Sequence, residues 1–390
     1  MKGLFRQKGA QLDINILASD EAQEFITTHA GILDGGFQKV EMSDKMRERL
    51  TRSNYIFSGI KTFHELNEAF PSMLDENGNK KPFERFLNDV QKINDTYNAN
   101  YLHAEYNFVQ ASATMAAKWE QFSEDGDRYN LQYRTAKDDK VRPEHAALDG
   151  VTLPMSDSFW ETYYPPNGWN CRCTVVQVRK QKYPATAHSD AMSRGEEAMN
   201  GERYNIFRFN SGKQGKTMPD YNPYTIRRCN DCDVAKGKLK LGFVPDYQLC
   251  QGCIMIRKCS EDRNRDNSAK ATKKSPEVKK LQGTTISNPD FNHEVLVTGG
   301  SIREWTNQPH KDYAAKNSIL KHIAKVFREA NYIGVVDNFK QKPGVIQSHL
   351  FETTVLGDVS WIVIREYDDG RFILHSLSDG DRIKTGIRKE

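Results

Sequence analysis

The longest regular pattern in the chain lies between Phe83 and Phe122. Phe86, Val90, Ile93, Tyr97, Tyr101, Tyr106, Val109 and Ala113 recur at steps of three to five, the spacing of one apolar helix face. No proline or glycine interrupts the stretch. One helix of that length would reach roughly 60 Å at ~1.5 Å per residue and would need partners along it; the steps also leave room for a break. Residues 1–50 read as a helical lead-in, with Ser43 as the cap of a helix that starts at Asp44. Asp75 to Pro82 is rich in turn formers and reads as a break.

From Tyr133 to Val178 the pattern changes to loops and short strands, ending in Thr174-Val175-Val176-Gln177-Val178. Residues 184–224 are polar and weakly patterned, and residues 260–282 are charged, poor in apolar side chains and read as a linker. The last hundred residues regain order. Glu294 to Val297 reads as a short strand. Tyr313 to Ala330 reads as an amphipathic helix with Ile319, Ile323, Val326, Phe327 and Ala330 on one side. Strands follow at Ile333–Val336, Val345–Val355, Val359–Glu366 and Arg371–Leu377, and Asp368-Asp369-Gly370 marks a hairpin turn. A helix followed by an antiparallel sheet makes an α+β module. No internal repeat is visible.

A chain of 390 residues exceeds what one core usually organises, so two to four domains are expected. Charged residues make up 28% and the mean hydropathy is −0.73, which describes a polar, soluble chain. No apolar run approaches the ~20 residues of a membrane span, and no apolar segment follows the charged start Met1 to Arg6, so a secretory leader is not expected. The net charge of +4 does not argue for nucleic-acid binding. The basic run Arg257 to Lys280 reads as a solvated linker, with a nucleic-acid contact as the other reading.

Six of the seven cysteines form close pairs: Cys171/Cys173, Cys229/Cys232 and Cys250/Cys253; Cys259 is left over. Such pairing suits metal ligation in a reducing compartment better than disulfides. Cys229-x-x-Cys232 and Cys250-x-x-Cys253, seventeen residues apart, bring four thiolates to one tetrahedral point, which favours a structural zinc; four reduced thiols are the alternative. Arg227, Arg228, Lys236, Lys238 and Lys240 make this module basic, so residues 225–280 offer a DNA contact. The expected fold class is therefore multidomain: a mainly α first domain, a small zinc-ribbon-like module and a C-terminal α+β domain. The expected segments are 1–50, 51–180, 181–224, 225–259, 260–283 and 284–390.

The most specific constellation is Tyr133-Arg134-Thr135, then Val141 to Gly150 with His145 and Asp149, then Pro165-Pro166-Asn167-Gly168-Trp169-Asn170-Cys171-Arg172-Cys173. Together with Ser53 to Ser58 and Asn98 to Tyr106 it resembles the signature of phage Mu F-like minor head (head morphogenesis) proteins, over roughly residues 50 to 178. The resemblance implies a virion assembly part near the portal, in the phage head and in the host cytoplasm during assembly, with portal and capsid proteins as partners. Chemically, His145, Cys171 and Cys173 could hold a metal, with Asp149 or water as a further ligand. The competing readings are a loop fixed by packing of Trp160 and Trp169, and a Cys171/His145 nucleophilic pair.

Five of the ten histidines fall after residue 290. The sets Arg303 to Lys311, Trp361 to Glu366 and Gly370 to Ser376 make residues 284–382 resemble the barnase–EndoU–colicin–RelE-like nucleases. That resemblance implies a metal-independent RNase acting on tRNA or mRNA, with an immunity protein as a further partner. Cleavage through the 2′-hydroxyl needs a base, an acid and a cation. The candidates are His310 and His375, then His349 and Arg365, then Lys311, Lys321 and Ser376. The alternative is a purely structural assembly protein whose C-terminal domain is an inactive binding module.

Overall fold

Ser43 does cap a helix: its hydroxyl accepts from the Met46 N–H at 3.0 Å, as Ser19 accepts from Ala22 at 3.3 Å. These caps start α1 (Asp20–Gly35) and α2 (Asp44–Ala69), and α2 runs straight through the expected boundary at residue 50. The computed structural model describes residues 1–7, 12–219, 222, 224, 251–310, 313–338, 341–355 and 358–388. They divide into two compact units, Met1–Ser260 and Glu261–Glu390. Among the described residues, no helix is long and apolar enough to cross a membrane.

The expected long helix is two, α3 (Phe83–Asp95) and α4 (Leu102–Asp125), joined by a wide turn over Thr96–Asn100 with π-type hydrogen bonding. Side-chain chemistry explains the widening. The Tyr97 hydroxyl donates to Glu68 at 2.9 Å, and the Asn98 amide donates to both Glu65 carboxylate oxygens at 3.1 Å. One extra residue in the turn lets consecutive side chains reach α2.

After α4 the chain forms a three-stranded sheet from β1 (Asn130–Arg134), β2 (Thr152–Pro154) and β3 (Thr174–Val178). The order is β2-β1-β3, antiparallel throughout. Helices and sheet share one core that includes Leu50, Phe57, Phe86, Phe108, Leu131, Tyr133 and Trp160. Between β1 and β2 sits the one-turn α5 (Pro143–Ala146), and α6 (His188–Ala198) follows β3. The approach at Gly212 is close: a Cβ there would lie 2.1 Å from Trp119 Cβ on α4.

Through the middle of this unit runs a buried polar stripe. Asn54, Ser58, Lys61 and Glu65 follow one another on α2 at helical spacing, and all four are buried. The Lys61 ammonium donates to Glu105 of α4 at 2.6 Å and lies 3.0 Å from His29 Nε2. Ser58 stands 2.7 Å from the other His29 nitrogen, and Tyr224 also donates to Glu105. Burial pulls the Lys61 ammonium down from its ordinary pKa, against the pull of Glu105. Burial pushes the Glu105 carboxyl up, but bonds from His29, Lys61 and Tyr224 outweigh it and hold the carboxyl below its usual value.

The second unit confirms the expected helix followed by a largely antiparallel sheet. The stretch 260–282 differs from the expected linker: it is helical, with α7 (Gln251–Lys274), whose residues 251–260 belong to the first unit, and α8 (Pro276–Leu281). Its charges sit at helical spacing, as in the Arg265–Asp262 pair at 3.0 Å, and Val278 is fully buried. The four-cysteine module is not confirmed. Cys229, Cys232 and Cys250 lie outside the described residues, and Cys253 is buried on α7.

Strands β4 (Thr285–Asn288) and β5 (Phe291–Leu296) precede α9 (Gly299–Asn307), which Thr298 and Ser301 close at its start with a reciprocal capping box. The helix expected over 313–330 is broken at Leu320–His322 into α10 (Tyr313–Ile319) and α11 (Ile323–Glu329). Strands β6 (Asn331–Asp337), β7 (Val345–Val355), β8 (Asp358–Tyr367) and β9 (Phe372–Ser378) complete a six-stranded sheet of order β4-β5-β9-β8-β7-β6. All pairs are antiparallel except β5 with β9. Phe351, Ile362, Ile364, Leu374 and Leu377 pack with Ile302, Trp305 and Phe327 on one face. Val336, Leu350 and Val363 form a smaller cluster on the other.

Two outcomes are expected in denaturant unfolding of the chain. Lys61→Ala, which strands a buried carboxylate, should cost about 3–5 kcal/mol, and Lys61→Met with Glu105→Leu should recover most of it. Gly212→Ala should cost roughly 1–3 kcal/mol, because the added methyl has no space beside Trp119.

Candidate metal centre

Alternating backbone geometry sets up the first site. In Cys171-Arg172-Cys173 the chain extends toward β3, so the outer residues share a side and the middle one faces away. Arg172 turns outward into a two-pronged ion pair with Asp138 at 2.6 and 2.7 Å. Cys171 and Cys173 turn inward, 7% and 9% exposed. Before them Asn170 adopts φ 57°, and Arg142 holds the loop by donating to the Trp169 carbonyl at 2.6 Å. Arg142 also immediately precedes α5, its carbonyl accepting from the His145 and Ala146 N–H groups at 3.0 Å, and α5 carries His145, 1% exposed. Asp149 accepts from the Thr135 N–H at 2.8 Å and from its hydroxyl at 3.1 Å, so it ties the end of β1 to the following turn.

The result is a convergent trio. His145 Nδ1 stands 3.8 Å from Cys171 Sγ and 3.9 Å from Cys173 Sγ, and all three ligand atoms lie within 4.8 Å of one another. Tyr133, fully buried, donates to Asn167 at 2.8 Å, and burial holds its phenol far above the ordinary range. Bonding to Cys173 and to His145 pulls the Cys171 thiol well down, while Cys171 and burial push Cys173 up. The Trp packing expected from sequence is also present: Trp169 packs on Phe108 and Phe207.

The candidate histidines of the second unit, His310, His349 and His375, do not line one cavity. His349, 2% exposed, lies level with Ile364 on the helix-covered face, 3.0 Å from both the Tyr332 hydroxyl and Glu366. Arg365 pairs with Ser348 and Ile373 on the opposite face. His375 sits in a bulge between the Val363–Ser376 and Ile364–Leu374 pairs. Arg365 and His375 together line a cavity of about 510 Å³ with Ser301, Glu304, Lys342 and Tyr367. Neither His310 nor His349 lines it. His310 is buried, 3.4 Å from Ser360 Oγ and 4.0 Å from Asp379. Ser376 is buried, Lys321 is exposed, and Lys311 lies outside the described residues.

Two groups of buried charge were not anticipated from sequence. One is His29, Lys61 and Glu105. The other is Lys316, fully buried, which donates to the carbonyls of Trp305 at 2.5 Å and Gln308 at 2.6 Å and so closes the end of α9. Burial lowers its pKa to about 8, against the charge of Asp379. The signal for the first is the four-residue polar stripe on α2; Lys316, a single lysine on a short helix, has none.

Residues 76–176 match the family model described as Phage Mu protein F like protein, and residues 264–374 match the one described as large polyvalent protein-associated domain 3. The chain is 30% identical over 177 residues to capsid assembly protein F of Escherichia phage Mu, covering 44% of this chain and 38% of that protein. It is 25% identical over 198 residues to the Mu-like prophage FluMu F protein of Haemophilus influenzae, covering 49% and 42%. The chain thus spans about two fifths of the length of these relatives. No solved structure matches it. The Mu F-like resemblance read from Tyr133 to Cys173 is supported. The family matched in the second unit differs from the nuclease group that residues 284–382 resemble, and the nuclease reading is not supported.

Lys316 carries a pH dependence. With its folded pKa near 8 and an unfolded value near ~10.4, the unfolded chain binds the extra proton between these values. The group's contribution to stability is therefore present at higher pH and is lost as pH falls through 8. Lys316→Met should show a smaller rise in stability from pH 8 to 10 than the parent, read by denaturant midpoints at each pH.

Proposed function

We propose that this chain is a phage head component that acts in capsid assembly, with portal and capsid proteins as its partners. The observation that carries the reading is the match of residues 76–176 to the phage Mu F-like family. That span holds α4, β1, β2 and most of β3, together with Glu105, His145, Cys171 and Cys173. The curated relative from phage Mu, named for capsid assembly, adds support at 30% identity. The place of action is the phage head near the portal, reached by assembly in the host cytoplasm.

RNA cleavage by the second unit is not supported. It requires acid and base on one phosphate, and the cavity lined by His375 includes neither His310 nor His349 among the described residues. With it fall the tRNA or mRNA substrate and the immunity protein. A DNA contact through residues 225–280 rests on a segment of which 225–250 lie outside the described residues and 251–280 are mainly helical.

Disrupting the gene in a phage that encodes this chain should lower the yield of DNA-filled heads by at least about tenfold, counted by electron microscopy, with recovery from a plasmid copy. The protein should sediment with purified particles. Normal heads and normal infectivity without it would overturn the reading.

A further inference from the structure

We propose that His145, Cys171 and Cys173 form a metal site for a soft divalent cation, zinc foremost, with three protein ligands and a water in the fourth position. The inference stands on the geometry of the trio and is independent of the assembly reading.

The first argument is valence. An imidazole nitrogen has one lone pair or one proton, so it completes a good hydrogen bond with one partner. His145 Nδ1 instead stands at almost equal distances, 3.8 and 3.9 Å, from two sulfurs. One cation between the three atoms satisfies all of them. With metal–sulfur bonds of about 2.3 Å and a metal–nitrogen bond of about 2.0 Å, tetrahedral angles place nitrogen and sulfur roughly 3.5 Å apart. A contraction of a few tenths of an ångström therefore brings both nitrogen–sulfur spacings to those of a tetrahedral site.

The second argument is charge. Ionising both thiols in this buried position would leave two negative charges that burial opposes; a divalent cation cancels them and keeps both thiols deprotonated. Thiolate and imidazole donors select zinc over magnesium or calcium. The fourth position falls to water because only three protein ligand atoms converge there. Asp149 is not among them and its Oδ1 accepts from Thr135, and the Tyr133 hydroxyl donates to Asn167. The surroundings also hold the ligands in place: Arg172 is pinned outward by Asp138, and Arg142 fixes the loop through the Trp169 carbonyl. The bound metal would tie α5 to the start of β3 across the segment that carries β2.

The test uses the full chain with Cys229→Ser and Cys232→Ser, which removes the other cysteine cluster. After dialysis against zinc-free buffer it should retain about one zinc per chain. Cobalt should replace the zinc and give the visible bands of a tetrahedral ion with thiolate charge transfer. Adding Cys171→Ser and Cys173→Ser should abolish binding. His145→Cys should retain the metal and strengthen the thiolate charge-transfer band, which a packing role for His145 would not produce. If the background variant fails to fold, Cys173→Ser alone in the parent chain should lower the zinc content by about one. A folded chain that takes up no zinc at these residues, unchanged metal content in the Cys171/Cys173 variants, or a Cys171–Cys173 disulfide in the reduced preparation would overturn the site.

Discussion

The first unit depends on an ion pair placed where water cannot reach. Lys61 and Glu105 meet at 2.6 Å with 1% and 3% of their surfaces exposed. Removing two charges from water is costly, and only close geometry with every remaining lone pair engaged offsets it. His29, Ser58 and Tyr224 supply that engagement. An apolar interface between α1, α2 and α4 would tolerate sliding by a turn. A polar one has few positions in which each group finds its partner, so the stripe on α2 sets how its neighbours align.

That alignment is what the His145 trio needs. The turn at Thr96–Asn100 exists so that Tyr97 and Asn98 can both reach α2, and it sets the direction of α4. α4 in turn packs beside the sheet: Lys118 donates to Thr174 at 2.6 Å, and Tyr164 donates to the Met115 carbonyl at 2.9 Å. The loop from Tyr163 to Cys173 therefore inherits its position from helices buried by charge pairing, while its own sequence contributes the local turn. Fold and site are coupled through specific polar bonds rather than through apolar area alone.

Much of this was legible from residue order, and the reasons are specific. The Ser43 cap, the Asp368-Asp369-Gly370 turn and strands β7, β8 and β9 are local signals, set by neighbours within a few residues. His145, Cys171 and Cys173 stood out because three metal-ligating types at tight spacing are chemically unusual. What escaped depends on partners distant in sequence. Lys61 and Glu105 are 44 residues apart and read individually as solvated charges. The parallel pairing of β5 with β9 joins Val295 to Phe372, and no local pattern encodes it. Lysine-rich residues 260–282 read as a tether because few are apolar, yet a helix with ion pairs on its exposed side needs only occasional anchors such as Ala269 of α7, with Val278 doing the same for α8.

The single residue between Cys171 and Cys173 has a consequence for how this loop can vary. In extended backbone one inserted or deleted residue swings the next side chain through half a turn. Such a change would throw one sulfur into solvent and pull the guanidinium of Arg172 inside. A change of length is thus forbidden between the thiols, and any descendant keeping both sulfurs inward must keep an odd number of residues between them.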